Sequence, residues 1–155
     1  MRSLVVPVGA AAPPIALPSP RHGDVRLAWD DGRPTLLVFF RGFWCPHCRR
    51  QLAALREATG EIDAVGAAIV AISSQSLAAL TAAAEMPFPL LADPAAIAID
   101  RYGVRDPIPE ADGPVARPST FIVDRRGVVR YAYVGAAPDD RPALGAVLLA
   151  LESLA

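Results

Sequence analysis

The sequence predicts an α/β layer fold, a central mixed β-sheet flanked by helices on both faces. Two observations carry this. Short apolar runs of strand length alternate with segments of helical period, and a glycine-marked hairpin then closes the pattern without an internal repeat or linker. A third sets the scale: 155 residues suffice for one compact domain and are short for two. Residues 1–155 are therefore read as a single domain.

Residues 1–23 are rich in Pro, Ala and Gly and show no sustained period, which predicts an extended arm lying on the domain. A short strand follows at Val25 to Trp29, a turn at Asp30 to Arg33, and a strand at Thr35 to Phe40. That last run is apolar at nearly every position, as suits a central strand buried on both faces. From Pro46 onward, Cys48, Leu52, Leu55 and Ile62 recur near one face while Arg49, Arg50, Arg56 and Glu57 fall elsewhere. This is an amphipathic helix, weakened at Gly60. Ala67 to Ser73 is a buried strand. Ser76 to Glu85 is a helix stopped by Pro87, and PFPLLAD contains a short strand. A short helix opens at Pro94 and ends at Gly103. Residues 104–118 are loop, 119–135 form a hairpin turning at Asp124 to Gly127, and 139–154 form a last apolar helix after Pro138.

Hydrophobic residues make up 53%, charged residues 20%, and the net charge is -1. Nothing in that profile asks for nucleic acid or an anionic membrane as a partner. All 15 cations are arginine, with no lysine or asparagine, a bias of codon usage rather than a binding signal. Pro7, Pro13 and Pro14 break the helical apolar core a signal peptide needs, and no run reaches a membrane span. A cytoplasmic location is the expectation. There, two cysteines point to catalysis or metal binding rather than a staple.

Both cysteines lie in FFRGFWCPHCRRQL, Phe39 to Leu52. Pro46 is pre-set for the first helical turn, so Cys45 falls at the N-cap and Cys48 one turn inside. The helix N-terminus favours a thiolate at Cys45, and His47, Arg41, Arg49 and Arg50 add positive field. A structural zinc site needs four ligands, and beyond this pair the chain offers only His47 and the distant His22. A disulfide closing so small a loop restrains the unfolded chain little. A redox-active Cys45–Cys48 dithiol is the favoured reading, with no cofactor and no metal.

At these residues the chain resembles the thioredoxin superfamily, and its match runs in order through VGAAAPPIAL, LLVFFRGFWCPHCRRQLAAL, VAIS, FPLLADP, YGV and RPSTFIVDRRGVVRYAYVG. That ordered set is similar to the AhpC/TSA group, especially its peroxiredoxin-like members. The resemblance implies a thioredoxin-like fold and thiol-dependent oxidoreductase activity. It implies that Pro118 is a cis-proline facing the dithiol and that Arg117 points at the thiolate. The Pro-His dipeptide resembles that of strongly oxidising relatives, which implies a potential above thioredoxin's.

The sequence departs from both patterns. Peroxiredoxins carry PxxxTxxC with the peroxidatic cysteine at the place of Cys48; here Arg41 holds the proline place and Cys45 the threonine place. Thioredoxin keeps an aspartate six residues before its first cysteine, where Phe39 stands. Three readings follow. In disulfide exchange, Cys45 attacks and Cys48 resolves. In peroxide reduction, one cysteine becomes a sulfenic acid that the other condenses with. The third is a non-catalytic binding module. Substrates are then a protein disulfide or a peroxide, with a thioredoxin- or glutathione-type electron donor, and edge strands and arm offer surfaces for a homodimer. Trp44 is either a lid over the dithiol or packed surface. Asp106, Glu110 and Asp112 make the 102–117 loop acidic, bordering a cleft or simply solvated.

Overall fold

The computed structural model describes residues 4–83, 85–108, 110 and 113–154. Its elements are β1 Ile15–Ser19, β2 Gly23–Leu27, β3 Thr35–Phe39, α1 Pro46–Glu57, α2 Thr59–Ala64 and β4 Ala68–Ser73. They continue with α3 Leu77–Ala83, β5 Leu90–Ala92, α4 Ile97–Tyr102, β6 Ser119–Val123, β7 Val129–Val134 and α5 Leu144–Glu152. The main sheet has the order β5-β4-β3-β6-β7. β3, β4 and β5 are parallel and β6 and β7 antiparallel, so the sheet is mixed as expected. β3 is buried at every position because it lies at the centre, with neighbours on both edges and cover on both faces.

Alternation along β3 sorts the core. Leu36, Val38 and Phe40 face Leu52, Leu55, Ile62, Val147 and Leu151 from α1, α2 and α5. Leu37 and Phe39 face α4 and the β1–β2 hairpin, through Ile99, Tyr102, Ile15 and Leu17. On that second face Phe39, Tyr102 and Phe121 pack edge-on or tilted with centroids 5.3–5.9 Å apart. The buried Tyr102 hydroxyl donates to the Pro13 carbonyl at 2.7 Å, tying the N-terminal arm to the core. Gly9 and Ala12 amides donate to the carbonyls of Val129 and Gly127, so the arm runs beside β7. Gly103, at φ 73, passes so close to the Leu4 carbonyl that a β-carbon would overlap it.

Five sequence expectations shift, the short helix expected from Pro94 among them: it starts only at Ile97, after Ala96 in the left-handed region. Residues 15–19 of the arm form a strand paired with 23–27, because Ile15, Leu17 and Ser19 bury alternately against the core. The strand expected at Val25 to Trp29 begins earlier and stops at Leu27; Trp29 turns to φ 61 and donates its indole N–H to the Ala12 carbonyl. The long helix breaks at Ala58 rather than Gly60, where the Thr59 hydroxyl donates to the carbonyls of Leu55 and Arg56. The last helix starts at Leu144, not 139, since residues 136–142 form a turn pinned by Asp140, which accepts from Tyr133 and the Ala136 amide.

Asp93, at the end of β5, is wholly buried, and its carboxylate accepts from the amides of Ile97 and Ile99 at 2.8 and 2.9 Å. It starts α4, whose preceding residue Ala96 sits in the left-handed region and has no side-chain cap of its own. Replacing Asp93 by alanine leaves two amides unpaired and costs roughly 1–3 kcal/mol. A lowered urea midpoint checks this, and an unchanged one refutes it.

Candidate active site

β3 ends at Phe39 and the chain runs through Phe40 to Trp44 onto the N-terminus of α1. Cys45 is the N-cap in extended backbone, with Pro46 in the first turn, as the sequence predicts. Cys45 is 2% exposed and Cys48 fully buried, both as free thiols. The two sulfurs sit in unlike surroundings. Burial pushes the Cys45 thiol up, but the amide and thiol of Cys48, the His47 amide and the charge of Arg141 outweigh it, and its pKa ends below the ordinary value. Cys48 ends above it, because full burial outweighs the donors aimed at its sulfur.

Those donors form a cradle. The Arg41 amide donates to Cys48 Sγ at 3.2 Å, and the Gly42 amide also points there. Arg141 Nη2 donates to the same sulfur at 3.2 Å. Two further bonds fix that guanidinium: Nη1 to Gln51 Oε1 at 2.6 Å and Nε to the Pro138 carbonyl at 3.0 Å. Arg141 comes from the turn between β7 and α5 and was not anticipated from the sequence. The one sequence signal is a cation just ahead of an apolar helix that must pack beside α1.

The arginines nearest the cysteines in sequence do something else. Arg49 donates to the Phe43 carbonyl at 2.6 Å. Arg50 donates to His47 Nδ1 at 3.0 Å; arginine cannot accept, so that nitrogen carries the lone pair. The Arg41 side chain, 11% exposed, pairs with Glu110 at 2.6 Å and lies under the Trp44 ring at 5.1 Å from its centroid. Of these three, only Arg41 reaches a cysteine sulfur, through its backbone. Trp44 is 47% exposed and covers Gly42, where a β-carbon would collide with the indole. It is neither a core residue nor in hydrogen-bond contact with the dithiol. Asp112 lies outside the described residues, and Asp106 bonds locally to the Ile108 amide.

Among the described residues no group of three or more His, Cys, Asp or Glu is arranged to hold a metal ion. No helix is long and apolar enough to cross a membrane. Phe39, in the place of thioredoxin's aspartate, belongs to the aromatic cluster on the far face, so no carboxyl group serves Cys48 from there.

The sequence model of the AhpC/TSA family matches residues 8–132. The chain belongs to the AhpC/TSA family. It is 32% identical over 127 residues to the Mycobacterium tuberculosis protein named "Putative peroxiredoxin Rv2521", covering 78% of this chain and 80% of that one. Peroxiredoxin Q, chloroplastic, from Suaeda salsa is 28% identical over 81% of this chain and 58% of its own length. The crystal structure of peroxidoxin BcpB from Mycobacterium tuberculosis superposes with a TM-score of 0.84, 21% identity, and coverage of 97% and 99%, which establishes the thioredoxin-like fold. This AhpC/TSA chain is a peroxiredoxin-like thiol oxidoreductase.

Two expectations taken from the family resemblance need correction. No peptide bond among the described residues is cis, so Pro118 is trans. The strand-like path is held on both sides of it: the Arg117 amide donates to Val104, Gly135 donates to the Pro118 carbonyl, and Ser119 enters β6 opposite Val134. The Arg117 carbonyl accepts from the Ser119 hydroxyl, so the backbone here is engaged rather than open for docking. Arg117 itself bonds to neither sulfur; the guanidinium on Cys48 is Arg141.

The two thiols should separate in a pH titration of alkylation. In Cys48→Ser, iodoacetamide reacts at Cys45 with a midpoint below that of a free cysteine; in Cys45→Ser, Cys48 titrates above it. Coincident midpoints, read by mass spectrometry, refute the assigned asymmetry.

Proposed function

We propose that the protein exchanges dithiol for disulfide through Cys45 and Cys48, with Cys45 as nucleophile. The Cys45 thiolate attacks one sulfur of a substrate disulfide, and the other substrate sulfur leaves as a thiolate. Cys48 gives up its proton to water, the donors of the cradle holding the thiolate that forms, and attacks the Cys45 sulfur. The second substrate thiolate departs, two electrons have passed to the substrate, and the enzyme holds a Cys45–Cys48 disulfide. A dithiol or glutathione-type donor returns it to the reduced form. The observation that supports this order is the asymmetry of the pair: Cys45 caps the helix with a lowered pKa, while Cys48 is fully buried with a raised one. Residues 1–155 act as one domain in this reading, supported by two apolar clusters that share a single sheet.

A second reading, peroxide reduction at Cys48, is favoured by a specific feature. The Arg41 amide and Arg141 guanidinium converge on that sulfur, the kind of donor set that stabilises a thiolate and a departing peroxide oxygen. The relatives' name, peroxiredoxin, points the same way. Mixing reduced protein with hydrogen peroxide, cumene hydroperoxide or a protein disulfide separates the two. Exchange predicts fast oxidation by the disulfide and slow oxidation by both peroxides. Fast peroxide oxidation retained in Cys45→Ser would instead make Cys48 peroxidatic.

Stabilising the Cys45 thiolate stabilises the reduced enzyme. The expected potential therefore lies above thioredoxin's, which is about -270 mV. Equilibration with glutathione measures it, and a value at or below that figure contradicts the reading.

A further inference from the structure

A cavity of about 290 Å³ lies beside the dithiol, between α1 and α5. Leu36 and Val38 of β3 form its floor, with Leu55, Leu144 and Val147 as walls. Arg50, Gln51 and Arg141 line its polar end, and among the described residues no carboxylate lines it. On the floor Thr120, paired with Val38 across the β3–β6 ladder, is 2% exposed and its hydroxyl has no hydrogen-bond partner among the described residues. Val38 and Thr120 stand at the end of the ladder nearer the dithiol, and Leu36 and Ile122 stand one step further away. Polar and apolar ends are thus separated along the cavity.

We propose that this cavity binds a small monocarboxylate with an apolar body, and holds it more tightly when the Cys45–Cys48 disulfide has formed. The volume suits roughly ten non-hydrogen atoms at interior packing density. The carboxylate accepts from Arg141 at the polar end, and the apolar body lies along Leu36, Leu55 and Val147. Coupling to redox state follows from Arg141, which is both a wall of the cavity and a donor to Cys48 Sγ. When the two thiols lose two electrons and two protons to a disulfide substrate, Cys48 can no longer ionise and becomes a poorer acceptor. The guanidinium is then released to the carboxylate. By reciprocity the ligand stabilises the oxidised enzyme. The redox dependence rests on the dithiol reading above; binding itself does not.

The probe is 4-phenylbutyrate, titrated calorimetrically into protein reduced with dithiothreitol and desalted, and into protein oxidised with diamide. Thiol titration verifies each state. The expected result is affinity at least about fivefold higher for the oxidised form, with 4-phenylbutan-1-ol showing no such difference. Arg141→Gln should abolish the redox dependence, and Ala54→Phe, which fills the cavity from its partly exposed rim, should abolish binding in both states. Circular dichroism verifies folding, and Ala54→Leu replaces the phenylalanine variant if that one is perturbed. Equal affinities, no binding to either form, or binding retained in the filled variant overturn the proposal. If diamide forms no disulfide, the dithiol reading fails and the redox dependence with it; if the disulfide forms without changing affinity, only the cavity proposal fails.

Discussion

Cys45→Ser should lower the rate of exchange with a protein disulfide by about 10³-fold or more, with the fold unchanged. A serine hydroxyl at the same N-cap still meets the amides of His47 and Cys48, but it stays protonated at neutral pH and cannot attack sulfur. Removing the nucleophile of a covalent mechanism forfeits the chemical step rather than binding, so the loss appears in turnover. Cys48→Ser fails differently. It retains the attacking thiolate, completes the first displacement, and stalls as a mixed disulfide. Single-turnover rates distinguish the two, and equal residual rates would show that the thiols are interchangeable.

Arg141→Gln should slow resolution of the mixed disulfide roughly 10- to 100-fold. Cys48 must ionise to attack, and Arg141 is the charged donor on its sulfur. A hydrogen bond to a charged group contributes about 1.5–3 kcal/mol, which sets that range. Removing it leaves the Arg41 and Gly42 amides opposing full burial, so the Cys48 pKa moves further up. The rate of resolution should then rise with pH over a higher range than in wild type. Arg141 also lowers the pKa of Cys45, but as the last of several causes, so the first step slows less. Arg141→Lys keeps the charge while losing the fixed fork to Gln51 and Pro138, and should restore part of the rate. A purely structural role would lower stability without moving the pH profile.

What was legible beforehand follows from how local each signal is. TLLVF reads as a central strand because all five residues are apolar, and it is buried throughout. Pro46 after Cys45 marks the helix start, and the structure begins α1 there. Arg141 gave no comparable sign. It reaches Cys48 across 93 residues of sequence, only because the turn after β7 crosses the N-terminus of α1. In a chain whose cations are all arginine, one loop arginine does not stand out. The Pro118 expectation failed for a related reason. The motif fixes the residue, but the backbone around it pairs with Val104, Val134 and Gly135, distant partners that a motif does not contain. The strand inside the arm was missed because its burial alternates over only five residues interrupted by Pro18.

The central claim is that Cys45 attacks and Cys48 resolves. Trapping tests it most directly: each single-serine variant is reduced, mixed with a protein disulfide, quenched with acid, and analysed by mass spectrometry. The predicted result is a mixed disulfide on Cys45 of Cys48→Ser and little or none on Cys45→Ser. An adduct that accumulates instead on Cys48 of Cys45→Ser would contradict it.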